Sequence, residues 1–224
     1  MVKLIPTTSD NVYLLTSEGS KKPVTRNLVP GMRVYDEKLL TIENIEYRLW
    51  EPFRSKLAAI ILKGSTISIK KDQSVLYLGA ANGTTVSHVS DIVTGGTVFA
   101  VEFSPRAMHD IIRASTPRYN LVPILADAMR PETYQNMVPQ VDLLYQDVAQ
   151  RDQAGIAIRN AGLKKKKKGL LVLIIKARSI DSTKRVKDVI DEEVKKLEGY
   201  FEIRDLIDLL PFDSDHAAVV ARKI

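Results

Sequence analysis

Residues 75–102, VLYLGAANGTTVSHVSDIVTGGTVFAVE, constrain what this chain can fold into more than any other stretch. Val75–Leu78 is a short apolar run rich in β-branched residues, followed by a small-residue turn between Gly79 and Gly83. From Thr84 and Thr85 onward, apolar residues fall at Val86, Val89, Ile92 and Val93, which is helical spacing. Gly95 and Gly96 stop that helix, and Val98–Val101 reads as a second buried strand ending at Glu102. A strand, glycine turn, helix, strand and acid in this order suit an adenosyl group. The glycines let backbone approach the ligand, and a carboxylate about 20 residues on accepts bonds from the ribose hydroxyls.

The turn departs from the dinucleotide fingerprint, because Ala80, Ala81 and Asn82 stand where a third glycine is usual. A helix N-terminus with three glycines cradles a pyrophosphate. A single nucleoside carrying a sulfonium has none to cradle, so the pattern favours S-adenosylmethionine over a nicotinamide dinucleotide. A plain strand–helix–strand turn with a solvated acid stays open at this point.

The rest of the chain supplies the frame. Val12–Leu15, Val24–Arg26, Leu39–Ile42 and Ile45–Leu49 are short strand candidates, with Pro30–Gly31 as a turn and Glu43–Asn44 as a hairpin loop. They point to a small N-terminal β domain over residues 1–50, too slight to stand alone, and a larger domain over 51–224 beginning at Trp50-Glu51-Pro52. In the larger part a helix covers Ser55–Leu62, with Lys56 against the macrodipole in its first turn. Strand-like runs follow at 75–78, 98–101, 122–126, 141–145 and 170–175. Helices alternate with them, one opened by Ser104 as N-cap with Pro105 after it, one marked by Ala154, Ala157, Ile158 and Ala161, and one by Val186, Val189, Ile190, Val194 and Leu197. That alternation predicts an α/β, doubly wound, mostly parallel sheet. The last runs, 200–207 and 216–222, are separated by too few residues for a crossover helix and so form an antiparallel hairpin. The whole is the order of a Rossmann-like methyltransferase; dehydrogenases do not usually end this way.

Ligands bind beyond the carboxyl ends of parallel strands. Those ends carry Gly79, then Glu102 and Phe103, then Asp127 and Ala128, then Asp147 and Gln150, and finally Lys176. A polar concave site on one edge is expected. Composition agrees with a globular protein: 45% hydrophobic residues support a core, and no apolar run reaches the ~18 residues of a membrane span. The absence of cysteine excludes disulfides and thiolate chemistry and fits the cytoplasm, as does an N-terminus without a signal-peptide core. A net charge of +6 permits a nucleic-acid partner.

Several segments carry a more specific likeness. YRLWEPFRSKLAAIIL, GAANGTTVSHVSDIV, VFAVEFSPR, DLLYQDVAQRDQ, LIIKARSID and DHAAVV, in this order, closely resemble the fibrillarin family in its archaeal form, from about residue 25 onward. The resemblance implies S-adenosyl-L-methionine-dependent 2′-O-methylation of ribose in rRNA and tRNA. It also implies work within a box C/D guide RNA complex on a target RNA, with a Nop-type scaffold protein and a kink-turn-binding ribosomal-type protein. By motif it assigns cofactor binding to Gly79, Ala81, Thr84, Thr85, Glu102, Phe103, Asp127, Ala128, Asp147, Val148, Ala149 and Gln150. Thr84 and Thr85 take the methionine end, Glu102 the ribose, Phe103 and Asp127–Ala128 the adenine, and 147–150 the sulfonium side. Related ribose methyltransferases place catalytic groups at Lys56, Asp147, Lys176 and His216, with Lys176 facing the 2′-oxygen. Whether Lys176 serves as a neutral base or as a charged stabiliser is left open by the sequence, and His216 reads equally as structural. Asn82 replaces the usual serine; it is small and suits a turn, so binding is expected to survive.

Other features fit less demanding roles. Lys164–Lys168 reads as a solvated helix terminus on the edge away from the site. Arg54, Lys56, Lys63, Arg106 and Arg178 are better candidates for RNA contact. His88 and His109 lie in helices without ligand spacing and are read as surface or packing residues, so no metal is expected. Ser104, Ser179 and Ser214 lack the context of a hydrolase nucleophile. A non-catalytic RNA–protein scaffold is the competing reading, opposed by intact Lys56, Asp147 and Lys176.

Overall fold

The structure is a computed structural model; it describes residues 3–17 and 19–224, apart from the side chains of 163–168. The expectation for Lys164–Lys168 concerns those side chains and lies outside the described residues. Two sheets are formed. The first is antiparallel and five-stranded, from β1 (Lys3–Pro6), β2 (Val12–Ser17), β3 (Ser20–Arg26), β4 (Leu39–Ile42) and β5 (Ile45–Leu49), in the order β1-β2-β3-β5-β4. Glu43 and Asn44 both take positive φ between β4 and β5 and pair Ile42 with Ile45, the geometry of a two-residue hairpin loop. Strand β1 escapes a sequence reading because KLIP is short, mostly exposed and has no alternation.

The larger part alternates helix and strand: α1 (Lys56–Leu62), β6 (Ser74–Leu78), α2 (Thr84–Ile92), β7 (Thr97–Glu102), α3 (Pro105–Ser115), β8 (Leu121–Leu125), β9 (Val141–Gln146), α4 (Gln153–Lys164), β10 (Lys165–Lys176), the short α5 (Ala177–Ile180), α6 (Val186–Leu197), β11 (Phe201–Asp208) and β12 (His216–Lys223). They build a seven-stranded sheet ordered β11-β12-β10-β9-β6-β7-β8. Strands β6–β10 run parallel, while β12 lies antiparallel to both β10 and β11. The expected terminal hairpin is therefore present, with β12 inserted between its partner and the parallel block. Order reverses at β6, flanked by β7 on one side and β9 on the other, so the crevice beyond the ends of β6 and β9 is the switch point where ligands sit in such sheets.

The strands read as unbroken apolar runs because both faces are covered. Val75, Tyr77, Val98, Ala100, Leu143, Tyr145, Val172 and Ile174 face one core, shared with α1 and α2. Leu76, Leu78, Phe99, Val101, Leu144, Leu171, Leu173 and Ile175 face the other, beneath α4.

Helix α2 is buried along its whole length, because the small sheet covers what would be its solvent face. The contact is ionic. Arg48 of β5 is fully buried and bonds Glu37 at 2.6 Å, Asp91 at 2.8 Å and Ser87 at 2.9 Å. Asp91 also takes Arg118 at 2.7 Å, so each buried charge is answered. Burial alone would raise the Glu37 carboxyl, but Arg48 and backbone N–H donors outweigh it and leave it lowered. His88 lies between Thr25 and Tyr35, each 2.7 Å from a ring nitrogen, and stacks on Trp50. Since the Thr25 hydroxyl donates to Asp91, a neutral ring has His88 Nδ1–H donating to Thr25 and Nε2 accepting from Tyr35 at 2.7 Å, in preference to the Leu49 carbonyl 3.2 Å from the same hydroxyl. Burial, reinforced by Arg48 and Arg118, holds His88 neutral with its pKa well below the usual value. This is the packing role expected for His88, and His109 is exposed as expected. No helix among the described residues is long and apolar enough to cross a membrane, and those residues hold no cluster suited to a metal ion.

Candidate functional site

The parallel strands deliver their last residues to one edge, where a single cleft is lined by Gly79, Ala81, Val101, Glu102, Phe103, Ala126, Ala128, Asp147, Val148, Ala149, Gln150 and Lys176. Gly79 fixes the turn at its centre. It has φ +82°, and a Cβ there would lie 2.7 Å from the carbonyl oxygen of Asp147. Only hydrogen fits where β6 and β9 come together. Gly79 and Ala80 both donate to the Val101 carbonyl, closing the turn over β7. Ala81 takes a positive φ of 48°, a conformation that costs a non-glycine residue about 1–2 kcal/mol. Its N–H is repaid by Glu102 Oε2 at 2.9 Å.

Glu102 is buried, and its other oxygen accepts from Ser104 N, also at 2.9 Å. One carboxylate thus braces both the glycine turn and the start of α3, where Ser104 caps through Ala107 N. Each oxygen keeps acceptor capacity toward the cleft. Phe103 projects an exposed ring at the rim. The Asp127 carboxylate accepts from Met129 N and shapes the loop after β8.

The polar centre is Asp147. Its Oδ1 lies 2.7 Å from Lys176 Nζ and its Oδ2 lies 3.4 Å from Lys56 Nζ. The Lys176 ammonium also donates to the Asp147 carbonyl at 2.9 Å. Lys56 reaches this point because Ser55 caps α1, accepting from Ala58 N, and is itself held by the Thr85 hydroxyl at 3.0 Å. His216 pairs in register with Lys176 across β12 and β10, so the two side chains share a face of the sheet. Its Nδ1 is bonded to Asp213. Below lie the stacked rings of Tyr77 and Tyr145, fully enclosed. Burial first, and the negative charge of Asp147 in addition, push both phenols well above their ordinary range.

Nine of the twelve residues assigned to cofactor binding line the cleft; Thr84, Thr85 and Asp127 do not. The Thr84 hydroxyl turns to Asn82 and the Thr85 hydroxyl to Ser55, so both act on the walls. Sequence reasoning missed Val101 and Ala126, which are lining residues, and the brace formed by Gln153. Gln153 Oε1 accepts from Lys176 N and its carbonyl from Gln146 Nε2. Two glutamines near the end of a strand and the start of a helix were the available signal. Of the RNA candidates, Lys63 donates to the Leu210 carbonyl and Arg178 to the carbonyls of Ser182 and Lys184, while Arg106 is exposed.

The fibrillarin family model matches residues 5–224. The chain belongs to the fibrillarin family. It is 52% identical over 218 residues to the fibrillarin-like rRNA/tRNA 2′-O-methyltransferase of Methanosarcina barkeri, covering 96% of each chain. It is similar to the crystal structure of Aeropyrum pernix fibrillarin with natively bound S-adenosyl-L-methionine, with a TM-score of 0.87, 45% identity, and coverage of 99% of this chain and 100% of the other. It also resembles a chain in a fibrillarin/Nop5p complex, with a TM-score of 0.88, 42% identity, and coverage of 96% and 98%. The Rossmann-like fold and small antiparallel sheet are those expected from the sequence.

Proposed function

We propose that this family member transfers a methyl group from S-adenosyl-L-methionine to the 2′-hydroxyl of an RNA ribose. We propose further that it does so within a box C/D guide RNA complex, with a Nop-type scaffold and a kink-turn-binding protein. The observation that carries the reading is the convergence of Glu102, Asp147 and Lys176, from three different strands, on one cleft. The residues fit the cofactor. A glycine turn that admits no Cβ lies beside a buried carboxylate with acceptor capacity to spare.

In this reading Glu102 accepts the cofactor's ribose hydroxyls, and Phe103 with Asp127 and Ala128 flanks the adenine. Thr84 and Thr85 support the methionine end, and Asp147–Gln150 face the sulfonium. The bound cofactor supplies an activated methyl on a good leaving group. The chain must then align the acceptor oxygen and ease loss of its proton. Asp147 holds two ammonium groups, Lys56 and Lys176, in a fixed arrangement. Lys176, paired with both the carboxylate and the carbonyl of Asp147, acts as the charged form. It stabilises the negative charge that grows on the 2′-oxygen, whose proton passes to solvent water as the oxygen–methyl bond forms and the methyl–sulfur bond breaks. His216, oriented by Asp213, supports Lys176 from the neighbouring strand. Base pairing between guide and target supplies sequence selection, as in other RNA-guided systems.

The test is methyl transfer from labelled cofactor to target RNA by the chain assembled with guide RNA and both proteins. Lys176→Ala should lower turnover by at least about 100-fold, with cofactor affinity by calorimetry within about twofold. Normal turnover in that variant would remove Lys176 from the chemistry. Transfer with no guide present would remove the guide-directed part.

A further inference from the structure

Beside the cleft runs a second groove of about 500 Å³, between the 32–36 loop and the end of α3. Four arginines line it: Arg33, Arg54, Arg113 and Arg118. Its carboxylates are Asp36 and Asp110, so cations outnumber anions along its walls. Arg113 lies 3.8 Å from Asp110, whereas Arg33 and Arg54 form no ion pair among the described residues. Arg54 is instead held over the Tyr35 ring and bonded to the Tyr35 carbonyl. Arg118 forms part of the groove's wall. It is buried, its Nη1 is spent on Ser87, Ser90 and Asp91, and its Nη2 has no hydrogen-bond partner. That nitrogen is enclosed, so the groups the groove offers to an anion from outside are Arg33 and Arg54, both exposed and without an ion pair among the described residues.

The groove and the cleft are built from neighbouring residues. Ala81 lines the cleft and the next residue, Asn82, lines the groove. Arg54 lines the groove, and Lys56, two positions on, pairs with Asp147. The same two segments contribute to both features, which brings the arginines near a strand whose ribose lies at Asp147 and Lys176. Resting on the RNA reading above, we propose that this groove binds a phosphodiester of the RNA presented to the cleft. Arginine forks suit phosphate oxygens, and such contacts position a strand without reading its sequence.

The test uses Arg33→Gln, Arg113→Gln and the double variant of the full chain in the assembled complex. Arg118 is left alone because Asp91 depends on it. Each single change should raise KM for target RNA by about threefold to tenfold at constant kcat and cofactor affinity. The double variant should flatten the dependence of log affinity on log salt by about 0.9 per lost contact for duplex or 0.7 for single strand. Arg33→Lys and Arg113→Lys should recover most of the loss, since a phosphate answers to charge. Unchanged KM and salt slope in an enzyme that still methylates overturns the groove alone. Failed assembly with intact RNA affinity also overturns it, because the arginines then seat a protein. No methyl transfer by the unaltered chain overturns the groove together with the enzyme reading.

Discussion

Gly79 shows how one hydrogen atom sets the geometry of a whole site. Its backbone lies in the left-handed region, and the space a methyl would take is already filled by the Asp147 carbonyl and Val148. That carbonyl also accepts from Lys176. Gly79→Ala therefore strains the turn and displaces β9's last residues, against which both cofactor and lysine are placed. The expected outcome is a fall in cofactor affinity of at least about tenfold together with reduced turnover, read by calorimetry and single-turnover kinetics. A variant with full affinity would show that the close approach is dispensable. The glycine was legible in the sequence as a turn with a close backbone approach; what it approaches was not. Contact between Gly79 and Asp147 depends on β9 lying beside β6, a pairing set by topology rather than by any local pattern.

At the scale of elements, apolar periodicity was a sound guide to what is covered by apolar groups. Helices α1, α2, α3, α4 and α6 and all seven strands of the large sheet follow from spacing and caps. Periodicity says nothing of an element buried by charge. His88 and Asp91 sit on the polar side of α2 by sequence, yet both are fully enclosed, because Arg48, Thr25 and Tyr35 arrive from residues far away in the chain. This has a consequence for pH. A neutral buried His88 refuses a proton that the unfolded chain accepts below about pH 6.5. Its folded pKa is depressed, so the stability it carries is present above that value and drains away as pH falls. The slope approaches one proton, about 1.4 kcal/mol per unit. Glu37, also lowered, adds its loss only nearer pH 4.5. Denaturation midpoints should therefore hold steady from about pH 8 to 7 and decline from about 6.5 to 5. A flat profile across that window would mean that His88 is protonated in place.

Over the whole molecule, the chain's two sheets invite division at residue 50, and we propose 1–50 and 51–224 as its two units. The sequence showed that the small sheet needs a support; it did not show that the large one needs it in return. Removing residues 1–50 takes away Arg48 and Glu37, uncovers α2, and exposes the core around Leu57 and Val86 that Trp50 helps to close. Breaking a buried ion pair by losing one partner costs about 3–5 kcal/mol, and the lost apolar cover adds to it, against a total stability on the order of 5–15 kcal/mol. A chain of 51–224 should express poorly, bind a hydrophobic dye and unfold without a sharp transition, even though every strand of the large sheet is present. The glycine turn sits at the head of α2, so this unit should also bind cofactor weakly. Cooperative melting of 51–224 with cofactor affinity intact would show instead that the small sheet is an attachment. Its place would then be with a partner and not with the fold.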